Sequence, residues 1–459
     1  MRKVHFIGIG GTGISAIALL LLEKGWQVSG TDKSASRYFD AVTAKGAYTL
    51  LGHSPELALE ADVIVRSSAV HDDDPEVIAA RENGIPVLKR NEFLPELTAG
   101  HQTLAVAGSH GKTTCTAMLV TMLCGLGIDP TFILGAQIRP LATNAHAGSS
   151  DLFVIEADEY DNMFLGLSPK ISLLTNVEYD HPDFFPTPAD YYQAFAAFLH
   201  RTQPGGAVIT CAEDEGVRNL LATNNFDGLS ILTYGYSEDC DYRIQNVSWN
   251  GDGYDFNLIY TPAQQDLGEF VLSVPGRHNL LNAAGALAVL HQIGLNPSAA
   301  SDSLAEFAGT ERRFEQVCHS GDTVVINDYG HHPTQLDLTL EAARELYPDH
   351  RLWAVWEPHT FSRTDRMQVA FTAALQRADR VVILPTYAAR ESVETDTPRQ
   401  IAQDISGSKA DYFQGFAEAA DFVAEQATGL NVVIVFSAGK GPEFANILCQ
   451  RLDTRRQND

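Results

Sequence analysis

Residues 108–114 read Gly-Ser-His-Gly-Lys-Thr-Thr, and the rest of the chain is organised around them. They follow an apolar run at residues 103–107, which predicts a strand, and precede residues 115–126, where apolar side chains recur at helical spacing. A glycine-rich turn between a strand and a helix presents backbone N–H groups and the positive helix N-terminus to an anion. The stretch therefore predicts a loop that binds a nucleoside triphosphate, with Lys112 on the outer phosphates and Thr113 on magnesium.

Length and composition limit the architecture and the partners. A chain of 459 residues is too long for one hydrophobic core, so two or three domains are expected. It carries 32 basic and 58 acidic residues, a net charge of −26, and this field would repel a phosphate backbone. No nucleic-acid partner is therefore expected, whereas small anions can still bind at local loops and helix N-termini.

The cysteines and the first apolar run indicate a cytoplasmic enzyme. Six cysteines lie far apart, without the short spacings of a metal site, and we expect reduced, mostly buried thiols. They are Cys115, Cys124, Cys211, Cys240, Cys318 and Cys449. The apolar run at residues 14–22 is too short to span a bilayer and indicates a buried helix, so no membrane partner is expected.

A second glycine-rich turn opens the chain. It follows a β-rich run at residues 3–9 and precedes a helix, and a strand at residues 27–30 then leads to Asp32, about twenty residues further on. Its glycines are Gly8, Gly10, Gly11 and Gly13. Taken alone, this pattern indicates a nicotinamide enzyme with Asp32 on a ribose. Two such turns, each opening its own α/β unit, instead predict two nucleotide-bearing ligands in separate domains.

Acidic side chains follow two strands of the central unit. The strand at residues 152–155 is followed by Glu156, Asp158, Glu159 and Asp161, and the strand at residues 171–175 by Asn176, Glu178, Asp180 and His181. Carboxylates at the carboxyl ends of strands beside a phosphate loop can hold magnesium directly or through water. A solvated acidic loop is the alternative. Short β-like runs at residues 237–273 predict an antiparallel addition to this unit.

The third unit carries a dense polar loop. A strand at residues 323–326 runs into Asn-Asp-Tyr-Gly-His-His-Pro at residues 327–333, and this surplus of polar side chains predicts function rather than a plain turn. Strands at residues 352–356, 380–384 and 431–436, with helices between them, complete another doubly wound unit.

Nine motifs in order resemble the Mur ligase family over nearly the whole chain. They are FIGIGGTGIS, RSSAV, GSHGKTT, EADEYD, TNVEYDH, GRHNLLNAA, ERRF, NDYGHHPT and PHTFSRT. The resemblance implies an α/β protein of three domains, each with its own ligand. Residues 1–98 would form a Rossmann-like domain for a UDP-sugar, residues 99–310 a P-loop ATPase-like domain, and residues 311–459 a Rossmann-like domain for the amino acid.

The resemblance also implies a reaction. ATP would activate the carboxylate of UDP-N-acetylmuramate as an acyl phosphate, and L-alanine would attack it, a cytoplasmic step in the synthesis of peptidoglycan precursors. The cofactors would be ATP and Mg²⁺, with two ions, and the protein would be a monomer or a homodimer.

Roles are carried over motif by motif. Lys112, His181, His331 and Arg363 would be catalytic. ATP would contact Gly108, Ser109, His110, Gly111, Lys112, Thr113, Thr114, Asn279, Arg313 and Asp328. The UDP-sugar would contact Gly8, Gly10, Gly11, Thr12, Gly13, Asp32, Ser67 and Ser68. Metal would bind Thr113, Glu156 and His181, and the amino-acid side would comprise Tyr329, His331, His332 and Arg363.

The chain differs from the family pattern at two positions, and three other functions are alternatives. Some family members have Arg where this chain has Thr360, and Lys440 stands where the family often has Asp or Asn. A related ligase joins a recycled tripeptide to the same UDP-sugar, but it usually has Cys in place of Gly10. A nicotinamide oxidoreductase would leave Lys112 unexplained, and a nucleotide-dependent switch would not need the histidine-rich third unit.

Overall fold

The computed structural model describes residues 2–139, 141–389, 391, 394–405, 407 and 409–458. The chain forms three sheets in sequence, which confirms the α/β class and the three-unit plan. The predicted boundaries after residues 98 and 310 fall between the strands of successive sheets, and their placement stays a prediction.

The first sheet has five parallel strands in the order β3-β2-β1-β4-β5. The strands are β1 (Lys3–Ile7), β2 (Gln27–Asp32), β3 (Tyr48–Leu51), β4 (Val63–Arg66) and β5 (Val87–Lys89). The helices are α1 (Thr12–Glu23), α2 (Arg37–Ala44), α3 (Pro55–Ala58), α4 (Pro75–Glu82) and α5 (Arg90–Leu97). Because β1 pairs with β2 on one side and β4 on the other, the strand order reverses at β1, and this leaves a crevice at the carboxyl end of β1.

The central sheet has ten strands in the order β15-β14-β13-β12-β11-β10-β6-β9-β7-β8. The strands are β6 (Gln102–Ala107), β7 (Thr131–Ile138), β8 (Thr143–His146), β9 (Leu152–Glu156), β10 (Ile171–Leu174), β11 (Ala207–Cys211), β12 (Ser230–Gly235), β13 (Tyr242–Trp249), β14 (Tyr254–Tyr260) and β15 (Gln265–Leu272). The helices are α6 (Lys112–Gly125), α7 (Pro188–Leu199), α8 (Glu215–Thr223), α9 (Arg277–Gln292) and α10 (Ser301–Ala305). Antiparallel pairing of β13, β14 and β15 confirms the predicted addition at one side of this sheet.

The third sheet has six strands in the order β16-β17-β21-β18-β19-β20, parallel except for β16. The strands are β16 (Glu315–Ser320), β17 (Thr323–Asp328), β18 (Arg351–Trp356), β19 (Arg380–Ile383), β20 (Ala410–Tyr412) and β21 (Asn431–Phe436). The helices are α11 (Pro333–Leu346), α12 (Phe361–Arg366), α13 (Gln368–Leu375), α14 (Thr397–Asp404), α15 (Phe416–Gln426) and α16 (Gly441–Asn458).

One hydrophobic core joins the first domain to the central one. Phe93 of α5 belongs to the same buried cluster as Phe164, which lies in a short 3-10 helix after β9. The ring of Phe164 stacks on Phe198 with centroids 4.8 Å apart and planes 2° from parallel. The Phe164–Phe198 stack lies within the central domain, and α5 of the first domain packs against the 3-10 helix that carries Phe164. In the part of the chain described here, no helix is long and apolar enough to cross a membrane.

The cysteine prediction was wrong for one pair. Cys318 on β16 and Cys449 on α16 form a disulfide, with Cα atoms 6.3 Å apart across 131 residues of sequence. The other four are free thiols, three of them buried, as expected. The sequence spacing gave no sign of the pair because α16 packs back on β16 only in the folded domain.

We expect Phe164→Ala to lower the free energy of unfolding by about 3–5 kcal/mol, because it empties a fully buried ring position in the core cluster that the first and central domains share. Denaturant titration measures the change. Val369→Ala is the control, since Val369 is 83% exposed and its truncation should cost less than about 0.5 kcal/mol. Equal effects of the two substitutions would contradict the shared core.

Candidate active site

The loops named by the sequence follow neighbouring strands in each sheet. In the central sheet, the phosphate loop follows β6, and the acidic loops follow β9 and β10, which flank β6. In the third sheet, the polar loop follows β17, and Arg363 lies after β18, two strands away. The carboxyl ends of parallel strands lie at one edge of a sheet, so the loops of each sheet come together at that edge.

The backbone of the phosphate loop is fixed by two glycines and by hydrogen bonds to Asn176. Gly108 has φ +139°, and a Cβ there would lie 2.0 Å from Thr175 Oγ1. Gly111 has φ +80°, and a Cβ there would lie 2.6 Å from Asn282 Oδ1. The side chain of Asn176 accepts a hydrogen bond from the backbone N–H of His110 (2.8 Å) and donates one to the carbonyl of His110 (2.9 Å). Only glycine fits at these two positions, and the hydrogen bonds of Asn176 hold the loop backbone at His110.

Lys112 is held by its own loop and by a buried carboxylate. Its Nζ donates to the carbonyl of Gly108 (2.5 Å) and to Glu159 Oε2 (2.7 Å). Burial alone would raise the pKa of Glu159, but the Lys112 ammonium and His181 lower it to about 2. Burial would likewise lower the pKa of Lys112, yet the neighbouring carboxylates raise it. The amine is therefore charged at neutral pH and close to where phosphates would bind.

The predicted metal ligands divide into an oxygen pair and a histidine. Thr113 Oγ1 donates to Glu156 Oε1 (2.9 Å), and burial raises the pKa of Glu156. These oxygens suit a hard cation such as Mg²⁺. His181 has φ +55°, and its Nε2 lies 3.4 Å from Glu159 Oε1. Burial opposes protonation, but Asp180 and Glu159 raise the pKa of His181, and a protonated imidazole is not a metal ligand.

A buried ion pair joins the central and third domains. Arg363 places Nε and Nη2 each 2.8 Å from Asp180 Oδ1, and both side chains are at most 3% exposed. Despite burial, the guanidinium holds the pKa of Asp180 well below its usual range. Arg363 Nη1 also lies 2.8 Å from His359 Nδ1. The structure thus brings Arg363 to the end of β10, beside His181.

The polar loop of the third domain faces the same place. The centroid of the Tyr329 ring lies 4.7 Å from the guanidinium carbon of Arg312 and 5.0 Å from that of Arg313. His331 Nδ1 is 3.0 Å from the Tyr329 carbonyl, and His331 Nε2 is 3.7 Å from Asp180 Oδ2. Burial, with a contribution from Arg363, lowers the pKa of His331 to about 4. The imidazole is therefore neutral at pH 7.

His332 and His110 meet across the domain boundary. Their ring centroids are 4.7 Å apart, and Glu178 Oε2 lies 2.9 Å from His110 Nε2 and 3.6 Å from His332 Nδ1. His332 also caps α11, since its Nδ1 accepts from the backbone of Thr334 (3.4 Å). Ser109, whose Oγ is 2.8 Å from Tyr191, and Thr114 on the first turn of α6 complete the predicted loop.

Asn279 and Asp328, which the sequence predicts to contact ATP, both have hydrogen-bond partners within the protein. Asn279 donates to the Pro275 carbonyl (2.7 Å) and accepts from Asn282 (3.0 Å), three residues further along α9. Asp328 accepts from the backbone N–H groups of Phe314 (2.9 Å) and Gly330 (2.8 Å), and burial raises its pKa. The backbone N–H donors orient the Asp328 carboxylate at the end of β17.

In the first domain, the predicted residues gather at the carboxyl ends of β2, β1 and β4. Asp32 accepts from the backbone N–H of Gly10 (2.9 Å), so it shapes the glycine loop itself. Gly8 has φ +84°, and a Cβ there would lie 2.9 Å from Ser67 Cβ. Gly11 precedes α1 as its N-cap, and Thr12 and Gly13 form its first turn. Ser68 follows Ser67 in the loop after β4.

The sequence assigned no individual role to several residues that the structure places at the site. Arg90 begins α5 and reaches the glycine loop, where a Cβ on Gly13 would lie 2.3 Å from Arg90 Nη1. Its Nη2 is also 3.7 Å from Asp158. The signal was the pair Lys89-Arg90, where β5 ends and α5 begins. Glu159 and Asp180 were predicted only as members of strand-end clusters, because nothing in the sequence distinguishes the carboxylate that pairs with a distant Lys or Arg.

The two departures from the family pattern are accommodated locally. Thr360 has φ +66° and is the N-cap of α12, and its carbonyl accepts from Thr364 Oγ1 (2.8 Å). The backbone N–H of Lys440 donates to Glu357 Oε2 (2.8 Å), within a turn closed by Ser437. Arg366 lies over the Tyr179 ring at 5.5 Å.

Three family models match the chain in order. The model of the Mur ligase family, catalytic domain, matches residues 3–102. The Mur ligase middle domain matches residues 106–290, and the Mur ligase, glutamate ligase domain, matches residues 312–439.

Individual proteins show the same similarity over full length. The UDP-N-acetylmuramate–L-alanine ligase of Frankia casuarinae is 39% identical and covers 96% of this chain and 93% of its own. The solved UDP-N-acetylmuramate–alanine ligase of Thermotoga maritima is 27% identical, with a TM-score of 0.82, over 99% of this chain and 100% of that one. A murein peptide ligase of Psychrobacter arcticus, 23% identical over 99% of each chain with a TM-score of 0.73, shares the fold.

We expect His332→Asn to reduce the acid sensitivity of folding. Burial, assisted by His110, lowers the pKa of His332 to about 4 from the ordinary 6.5. The unfolded chain therefore binds the proton more tightly, and stability is lost as pH falls from about 6.5 towards 4. When the pH is lowered from 7.5 to 5, the free energy of unfolding of the variant should fall by about 2 kcal/mol less than that of the wild type.

Asparagine keeps the capping function at this position, which separates the proton effect from loss of the helix cap. Urea unfolding at both pH values measures the change in the free energy of unfolding. His200→Asn, at an exposed histidine, is the control. An equal acid-induced loss in wild type and His332→Asn would contradict a neutral, buried imidazole.

Proposed function

The chain belongs to the Mur ligase family, and from this we propose that it uses ATP to join L-alanine to the carboxylate of UDP-N-acetylmuramate, a step in peptidoglycan synthesis. The observation that carries the proposal is the similarity, over almost the entire chain, to proteins named for this reaction. A glycine-rich loop after β1, a phosphate loop after β6 and a histidine-rich loop after β17, one in each sheet, support it.

The chemistry explains the need for ATP. Joining a carboxylate to an amine in water is uphill, so the carboxylate is first activated. A carboxylate oxygen attacks the γ-phosphorus, the bond to ADP breaks, and an acyl phosphate forms. The alanine amine then attacks the acyl carbon, phosphate departs with the C–O electron pair, and the nitrogen loses a proton. Because two anions meet in the first step, positive charge must surround them.

Lys112 supplies part of that charge in our proposal. Its Nζ lies on the Gly108 carbonyl and on Glu159, and the β and γ phosphates would replace these partners. The N–H groups of residues 111–114, at the start of α6, would face the same phosphates. We assign Asn279 to adenine, Asp328 to the ribose and Arg313 to the phosphates.

Magnesium fits the oxygen pair better than the histidine. Thr113 and Glu156 offer oxygen ligands 2.9 Å apart beside the phosphate loop, and we propose that they hold one ion. Such an ion neutralises phosphate charge during transfer. A second ion at His181 requires the imidazole to lose its proton, against the influence of Asp180 and Glu159.

The third domain would present the amino acid. Arg363 is fixed by Asp180, and the neutral His331 lies 3.7 Å from the same carboxylate, so a cation and a proton acceptor lie side by side. We propose that Arg363 binds the acyl phosphate or the alanine carboxylate and that Tyr329, His331 and His332 line the amine side. The glycine loop after β1, with Asp32, Ser67 and Ser68, would hold the uridine diphosphate.

The proposal also covers the ligand of each domain, the location of the protein and its oligomeric state. We assign residues 1–98 to the UDP-sugar, residues 99–310 to ATP and residues 311–459 to the amino acid. We also propose a cytoplasmic location, where ATP and Mg²⁺ are present, and a monomer or a homodimer.

An amino-acid scan tests the function. With UDP-N-acetylmuramate and ATP, we expect phosphate release and product in the presence of L-alanine, because the site activates the carboxylate for a free amine. Glycine, L-serine and the tripeptide L-alanyl-D-glutamyl-diaminopimelate are the comparisons. Release that follows the tripeptide and not L-alanine would assign the chain to the recycling ligases, and release with none of them would overturn the proposal.

Lys112→Met is expected to lower the ligation rate by about a hundred- to a thousandfold, because the positive charge that would stabilise the transferring phosphoryl group is removed. UDP-sugar affinity, measured by calorimetry, should stay within about twofold, since the sugar would bind the first domain. Lys45→Met, at the exposed end of α2, is the control. Turnover of Lys112→Met within about twofold of the control would remove Lys112 from the reaction.

A further inference from the structure

A hydrogen-bonded cluster connects the phosphate loop to the start of α11. It comprises His110, Glu178, His332, Thr334 and Gln335, and we call it the His110 cluster. Gln335 Nε2 lies 2.9 Å from His110 Nδ1, and His110 Nε2 lies 2.9 Å from Glu178 Oε2. Thr334 Oγ1 donates to Glu178 Oε1 (2.7 Å). Two residues of the third domain thus bind two of the central domain, one of them inside the phosphate loop.

The orientation of the Gln335 amide is set by the backbone around it. Its Oε1 accepts from the N–H groups of His331 (2.9 Å) and His332 (3.2 Å). Backbone N–H groups only donate, so the oxygen must face them and the NH₂ group must face His110. The amide therefore donates to His110 Nδ1, which carries no proton.

This fixes the tautomer of His110. With Nδ1 as acceptor, the ring proton is on Nε2 and is donated to Glu178 Oε2. The backbone N–H of His110 is held separately by Asn176 Oδ1 (2.8 Å). The side chain and backbone of one loop residue are therefore both fixed, the first from the third domain and the second from the end of β10.

The same side chains also have a composition typical of a metal site. His110, Glu178 and His332 offer two imidazole nitrogens and a carboxylate oxygen within 4.8 Å of one another. A metal on His110 Nε2, however, needs a proton on Nδ1, and that proton would face the NH₂ group of Gln335. The orientation of Gln335 therefore favours the hydrogen-bonded cluster over a metal site.

Gln335 contacts both loops that carry reacting groups. Through its oxygen it holds the backbone of His331 and His332, on the amino-acid side, and through its nitrogen it holds the side chain of His110. We propose that Gln335 is a positioning residue that couples the docking of the third domain to the phosphate loop through the Nε2–H tautomer of His110. The effect on turnover rests on the function proposed above, whereas the tautomer does not.

The tautomer is tested on the full-length protein by ¹⁵N–¹H correlation spectra of its imidazoles after ¹⁵N-histidine labelling. His110 is assigned by the signals lost in His110→Gln. We expect Nδ1 without a proton and Nε2 with one in the wild type. In Gln335→Glu, the carboxylate replaces the amide donor, so both nitrogens should carry protons. A protonated Nδ1 in the wild type, or spectra of His110 unchanged in Gln335→Glu, would overturn the proposal.

The coupling is tested by kinetics of L-alanine ligation. Gln335→Met removes both contacts and should lower kcat about tenfold, the effect expected from loss of buried hydrogen bonds. Its affinity for ADP alone should stay within about twofold, because the central domain holds the loop through Asn176. Gln335→Glu keeps a bond to His110 and should recover most of kcat. Gln376→Met, on an exposed glutamine at the end of α13, is the matched control.

Two kinetic results would contradict the coupling. One is a kcat for Gln335→Met equal to that of Gln376→Met. The other is a loss of ADP affinity as large as the loss of kcat, which would mean that Gln335 only stabilises the loop. If the wild type ligates no amino acid, the proposed function fails, and the spectra still decide on the His110 tautomer.

Discussion

The ion pair between Asp180 and Arg363 is the contact on which the active site depends. Two opposite charges lie 2.8 Å apart with at most 3% of either side chain exposed. Burying charges is costly, and removing one partner would leave the other without compensation, so the two domains are held in one arrangement. The second oxygen of Asp180 faces His331 at 3.7 Å and His181 at 3.9 Å. One carboxylate therefore orients groups from the ends of strands in two different sheets.

Elsewhere in the site, cations are paired with protein groups that a ligand can replace. Lys112 contacts Glu159 and the carbonyls of its own loop, and Arg90 lies 3.7 Å from Asp158. In a chain of net charge −26, such pairs keep basic side chains at the ligand-binding edge although the overall field repels anions. An incoming phosphate would compete with Glu159 for Lys112 and with Asp158 for Arg90.

Much of the fold could be read from local pattern. Apolar runs and glycine turns located β1, β6, β9, β10 and β17, because a strand buried on both faces is apolar throughout and a phosphate loop needs glycine at its turns. The same pattern located the acidic loops after β9 and β10 and the polar loop after β17. The disulfide between Cys318 and Cys449 was missed, since its partners are 131 residues apart and meet only when α16 packs on β16.

The sequence by itself determined the three α/β units, the positions of the loops and the residue types that each loop presents. Neighbours in sequence fix these features through backbone geometry and hydrophobic periodicity. Only the tertiary structure decided which carboxylate pairs with which cation, that Lys112 meets Glu159, that Asp180 meets Arg363, and that Gln335 meets His110. Protonation states followed from those pairings, because burial and nearby charge, rather than residue type, set the pKa values of Glu159 and His331.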